Sequence, residues 1–281
     1  MATLVPPLFA GLVDDASVLP PGFAAAGDAL AGHREHTHAW YADLLGVFLL
    51  PASTADVILP RPGPPLGLVN DLPLGQLPGT VAKLRAAGGD LRHVEAAVAR
   101  RREDPQPGLA ELCRLAEAET ALDVYAEIPL SWGLLAGLDV LAEARRNGLR
   151  IAPKFRVGGL AAELFPTPVE LAAVICACRD RELPFKLAAG LRHALRHTDP
   201  ETGFSHHGFL NVLVAAAAAV DGGEVADVAE ALAATHPTPL VEPARVRRDG
   251  VRPLWTGFGA VNVVEPLAEL VRLGLISGGY E

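Results

Sequence analysis

Eight short apolar segments, each closed by Gly, Pro, Asn or Asp, alternate with stretches of helical periodicity and predict an α/β fold. The architecture this alternation implies is a single-domain (β/α)8 barrel, the TIM barrel, spanning residues 1–281. Length agrees, because 281 residues suit one barrel of about 250 residues better than two separate cores. An open doubly wound sheet would carry a Gly-rich phosphate turn after an early strand, and Gly11-Leu12-Val13-Asp14 is not one.

In chain order, the strands are expected at Phe9 to Asp14, Gly46 to Pro51, Leu66 to Asn70, Leu91 to Val98, Asp123 to Ile128, Ile151 to Val157, Pro184 to Ala189 and Pro253 to Gly259. Helices are expected at Ala24 to Leu45, Gly79 to Ala87, Gly108 to Ala121, Trp132 to Asn147, Thr167 to Arg181, Gly208 to Val220, Val225 to Ala234 and Val264 to Leu273. Thr167 and Pro168 form an N-cap and N1 pair, and Gly148 after Arg145 and Arg146 reads as a helix-ending glycine.

Composition narrows the function. With 24 Lys and Arg against 33 Asp and Glu, the formal charge of -9 repels a phosphate backbone, and Arg100 to Arg102 and Arg245 to Arg248 are too short to form a basic patch. Nucleic acid is therefore not an expected partner. Cys113, Cys176 and Cys178 suggest neither a disulfide framework nor a zinc set, which points to a reducing cytoplasm. The segment MATLVPPLFAGL lacks the basic start of a secretory signal, and the longest apolar run, Gly208 to Val220, is too short to span a bilayer. No membrane partner is expected, and self-association into a homo-oligomer is left open.

A barrel of this kind works at the C-terminal ends of its strands, so polar residues there carry the functional reading. They are Asp14 and Asp15, Asn70 and Asp71, Glu95, Glu127, Lys154 and Arg156, and Lys186. Strand side chains alternate, which puts Lys154 and Arg156 on the inner face and Phe155 and Val157 toward the helices. Asp14, Glu95 and Glu127 should then lie near these cations, because unpaired charges in a barrel core cost several kcal/mol each. A lysine attacks a carbonyl only as a neutral amine, and a second cation nearby with desolvation would lower its pKa. The pattern suits imine formation on an aldehyde or ketone, with Glu95 shuttling protons.

The segment KFRVGGLAAELFPTPVELAAVICACRDRELPFKLAAGLRH, from Lys154 to His193, resembles the matching stretch of the deoxyribose-phosphate aldolase family, which is of the class I type. The resemblance rests on Lys154, Gly158, Thr167, Pro168, Glu170, Phe185, Lys186, Gly190 and Arg192. It continues more weakly through LVDDASVL, GVFLLP, LGLVNDLPLG, VEAAV, VYAEIP and GFGA, in the family's order. It implies a cofactor-independent lyase in which Lys154 forms the imine, Lys186 lowers its pKa, Glu95 takes the place of the proton-relay aspartate and Asp14 matches a first-strand aspartate. Asn70, Glu127, Gly158, Gly159, Gly190, Arg192, His193 and Gly259 are candidates to line the substrate site.

The chain departs from that family in four places. Its fourth-strand acid is Glu95 where the family has Asp, and its turns read Gly190-Leu191 and Gly259-Ala260-Val261-Asn262 where the family cradles phosphate. Arg156 replaces a small residue and suits a carboxylate held by two parallel bonds. The expected substrate is accordingly a small carbonyl compound other than a simple sugar phosphate.

Among the histidines, His33, His36 and His38 read as a solvated helix face, whereas His193, His197, His206 and His207 fall in the long connection after the seventh strand, near the mouth. Asn211 and Asn262 are further amide candidates. Two other functions fit the same residues. Asp14, Glu95 and Glu127 could gather a divalent ion for an enolate-stabilising lyase or isomerase, or the barrel could bind a ligand without catalysis.

Overall fold

The computed structural model describes residues 4–55 and 63–278. Eight parallel strands close into a barrel: β1 (Val13–Asp15), β2 (Leu45–Pro51), β3 (Pro65–Val69), β4 (Asp90–Ala97), β5 (Asp123–Glu127), β6 (Ile151–Arg156), β7 (Phe185–Ala188) and β10 (Trp255–Ala260), with β10 pairing with both β7 and β1. Between β7 and β10 a short antiparallel hairpin, β8 (His197–Thr198) and β9 (Ser205–His206), stands outside the barrel.

The helices are α1 (Ala26–His38), α2 (Leu77–Ala86), α3 (Gln106–Ala118), α4 (Leu134–Arg146), α5 (Pro168–Arg179), α6 (Phe209–Val220), α7 (Val225–Ala233), α8 (Thr238–Val246) and α9 (Val264–Arg272). Outward strand residues such as Phe48, Val94, Val124, Phe155, Leu187 and Phe258 are buried against helix residues such as Leu112, Leu141 and Ile175 in one continuous apolar layer. This layer holds the fold, at about 1.5–3 kcal/mol for each large side chain removed from water. It also leaves the barrel interior free for polar groups.

All eight expected strands are present, and the differences have local causes. The first strand begins four residues late, because Pro7–Phe9 form a 3-10 turn with proline at its start. The expected helix Ala24 to Leu45 stops at His38, and a second 3-10 turn, Ala42–Leu44, leads into β2. Helix α8 was hidden by Pro239 near its start and Pro243 inside it, and β8 and β9 are too short to show alternation. Helix α5 is capped by Thr167, whose side chain and that of Glu170 cap each other's backbone N–H, and Gly148 follows α4 with φ of +89°. Helix α6 is buried along nearly its whole length, and no helix among the described residues is long and apolar enough to cross a membrane.

Candidate active site

Register decides which polar groups meet. Glu127 pairs with Lys154 across β5 and β6, Lys154 with Lys186 across β6 and β7, and Asp14 with Gly259 across β1 and β10. Adjacent residues on a strand face opposite ways. Asp14 therefore turns inward, while Asp15 turns outward to His33 Nδ1 at 3.0 Å. Where ordinary barrels fill this space with branched aliphatics, here it is kept open: a Cβ on Gly46 would run into Asp14 Oδ1, and one on Gly67 into His93 Nε2.

Glu95 is the centre of the resulting network. Its Oε2 accepts from Lys154 Nζ at 2.8 Å and its Oε1 from Lys186 Nζ at 2.6 Å. Lys154 also donates to Glu127 Oε2 at 2.7 Å, Glu127 Oε1 accepts from Arg156 Nε at 3.1 Å, and Lys186 donates to Asp14 Oδ2. Three cations thus face three carboxylates, and their formal charges cancel. Asp14 Oδ1 is fixed by the Val47 N–H at 2.8 Å. Lys154, Lys186, Glu95 and Asp14 are all buried, whereas the Arg156 side chain is 46 % exposed at the mouth.

This arrangement corrects the expected role of Lys186 as the group that lowers the Lys154 pKa. Burial pulls the Lys154 ammonium down, but Glu95 and Glu127 outweigh it and hold its pKa above the ordinary lysine value. Lys186 is likewise raised: burial opposes its charge, and Asp14 and Glu95 overcome that. Burial pushes Glu95 up, yet Lys154 and Lys186 keep its carboxyl well below the usual range, and Lys154 and Arg156 lower Glu127 against its own burial. Since Lys186 is itself neutralised by two carboxylates, it contributes little net field at Lys154.

Two residues of the site escaped the sequence reading. His93 Nε2 lies 3.0 Å from Glu95 Oε1 and 3.3 Å from Lys186 Nζ. The Tyr125 ring lies 5.0 Å under Lys186 Nζ and packs edge-on against His93. Each stands two residues before a chosen acid, His93 before Glu95 and Tyr125 before Glu127, so strand alternation alone was signal enough.

The remaining candidates disperse. Asn70, just past β3, donates to the Leu72 carbonyl, and its buried Oδ1 has no partner. A Cβ on Gly158 would lie 2.8 Å from Gly190 Cα, so these two glycines let the loops after β6 and β7 touch; Gly159 and Gly259 lie against Leu164 and Leu49. Arg192 and His193 turn away to Glu265 and Glu269 of α9, at 3.4 and 3.2 Å. His33, expected on a solvated face, is instead buried on Asp15 and against Phe48. His36 meets the Tyr41 hydroxyl, and Asn211 ties α6 to the carbonyls of Ala231 and Ala234.

The rings of His193, His197 and His206 contact one another, with centroids 4.4 and 5.1 Å apart in sequence. Their Nδ1 atoms face oxygens that can only accept, on Glu269, Leu195 and Gly190, so Nδ1 carries the proton in each.

Among the described residues, Asp14, His93 and Glu95 form the one group of three whose ligand atoms lie within 4.8 Å of one another, and Glu127 is not part of it. Asp14 Oδ2, Glu95 Oε1 and His93 Nε2 all converge on Lys186 Nζ. An ammonium already stands where a divalent ion would be held.

Fold and site together define a closed parallel α/β barrel with a neutral, buried lysine-carboxylate network at its mouth. No known protein family, curated protein or solved structure matches the chain.

Proposed function

We propose that the barrel is a lysine-dependent carbon-carbon lyase of the class I aldolase kind, similar to the deoxyribose-phosphate aldolases and acting on a small carbonyl compound. The observation that carries this reading is Lys154 clamped between Glu95 and Glu127 at 2.8 and 2.7 Å, below a partly exposed arginine. The barrel fold commonly hosts enzymes at this end of its strands.

In the resting site Lys154 is an ammonium, so reaction begins with transfer of its proton to Glu127 or Glu95. The neutral amine then adds to the substrate carbonyl carbon. The carbinolamine loses its hydroxyl as water, taking the proton back from the carboxylic acid, and a protonated imine remains as electron sink for carbon-carbon cleavage or formation. Because the proton passes within the network, from Lys154 to a carboxylate bonded to it, the net charge of the site does not change. Lys186, held by Asp14 and Glu95, keeps Glu95 in place and offsets its charge. No cofactor takes part.

Borohydride reduction with pooled carbonyl compounds, followed by peptide mass mapping, tests this directly. An adduct is expected on Lys154 and is absent from Lys154→Arg; no adduct with any compound would count heavily against the imine.

The cluster of Asp14, His93 and Glu95 supports a second reading, a divalent-metal enolate chemistry, which requires Lys186 to give way. Loss of turnover on chelation would favour it. If Lys154→Arg and Lys186→Arg both left ligand binding and folding untouched, and the parent turned nothing over, a binding barrel would be the better account.

A further inference from the structure

We infer that the substrate is an oxo acid, whose carboxylate docks on Arg156 beside the reacting lysine. This rests on the imine reading only for where the carbonyl sits. Arg156 follows Lys154 by two residues on the same face of β6, which sets their Cα atoms roughly 6–7 Å apart along the strand, with the arginine nearer solvent. Glu127 bonds both side chains, Lys154 through Oε2 and Arg156 through Oε1, and so fixes the guanidinium relative to the nucleophile. Only Nε of Arg156 is used in that bond. Among the described residues its two Nη groups have no partner, which leaves an outward pair of parallel N–H donors with the spacing of a carboxylate.

A crevice of about 140 Å3 opens at this point, lined by Arg156, Glu127, Arg101 and Glu163 with the apolar side chains of Ile128 and Leu164. Its volume is that of about four or five waters, enough for a short acid chain. Arg101 is held there by its bond to the Glu163 carbonyl at 2.7 Å, which ties the loop after β4 to the loop after β6. Of the two carboxylates on the lining, Glu127 is already neutralised by Lys154 and Arg156, and Glu163 sits on an exposed turn where it can face water. The lining thus carries two arginines and two glutamates and no net formal charge, and what it offers an anion is the unpaired Nη edge of Arg156, whose Nε shares Glu127 with Lys154.

The test compares borohydride-trapped yield on Lys154 for 2-oxopropanoate, 3-oxobutanoate and 4-oxopentanoate, each against its uncharged methyl ester. At least one acid should be trapped about tenfold more than its ester, and in Arg156→Gln that ratio should fall to about one, whatever the absolute yield. Arg156→Lys, which keeps charge but not the fork, should fall between. Melting curves of both variants confirm that they are folded. Equal trapping of every acid and ester, an unchanged ratio in Arg156→Gln, or better trapping of a phosphorylated ketone than of any acid would overturn the inference. Should nothing be trapped on Lys154 at all, the imine reading fails, and calorimetric binding of the three acids decides this one alone. Binding weakened by Arg156→Gln upholds the carboxylate site, and no binding, or binding indifferent to the substitution, sinks it.

Discussion

Lys186 sits among Asp14, Glu95 and His93 with almost no access to water, and its ammonium is what permits those groups to share one space. Lys186→Met would leave three carboxylates facing two cations, an uncompensated buried charge that costs about 3–5 kcal/mol. Urea denaturation of the variant should show that loss, and adding Asp14→Asn should recover part of it, since the pair interacts directly. A single variant as stable as the parent would mean that the network does not hold the interior together. At this scale the sequence was informative wherever charge broke an apolar pattern: Lys154, Lys186, Glu95 and Asp14 were all readable. His93 and Tyr125 were not singled out, although alternation puts each on the inner face two residues before Glu95 and Glu127. Their importance comes from facing Lys186 across the barrel.

The connection between β7 and α6 shows what an element adds. His207 is wholly buried, bonded through Nε2 to the Pro166 carbonyl at 2.8 Å, and so fastens the hairpin region to the loop before α5. Burial pushes its pKa down to about 4, with Arg196 and His206 adding to the effect. His197 is also lowered, first by burial. As pH falls below about 6.5, the unfolded chain takes up these protons before the folded one does. The stability that neutral His207 contributes is complete above about pH 6.5 and is lost progressively down to pH 4, up to about 3 kcal/mol. Denaturation midpoints between pH 7 and 4 should therefore fall, and His207→Gln should flatten that slope. Parallel slopes for parent and variant would contradict the assignment. Nothing in the sequence distinguished His207 from His193, because the difference between them is burial.

Across the whole molecule, closure depends on the seam between the first and last barrel strands. Arg252, just before β10, donates to the carbonyls of Leu8, Ala10, Gly11, Trp255 and Thr256, which joins the chain ahead of β1 to β10 at the barrel floor. Its burial lowers its pKa to about 10. Arg252→Met should destabilise by at least about 3 kcal/mol, since hydrogen bonds to a charged group are worth about 1.5–3 kcal/mol each and the orphaned carbonyls stay partly buried. Calorimetry should then record a melting temperature lower by about 5 °C or more. An unchanged melting temperature would place closure elsewhere in the seam.

The sequence by itself determined the barrel, since strand and helix periods and turn residues are local signals that recur through eight units, and the capping pair at Thr167 and Pro168 marks one helix start among them. It also marked the two lysines, because a charge at the end of an apolar strand is visible without a structure. Tertiary structure alone decided their protonation. Lys186 next to Lys154 in register suggested mutual repulsion, yet Asp14, Glu95 and Glu127 arrive from three other strands and raise both amines. Coulomb interactions depend on distances across the barrel, and residues 14, 95, 127, 154 and 186 acquire those distances only when the sheet closes.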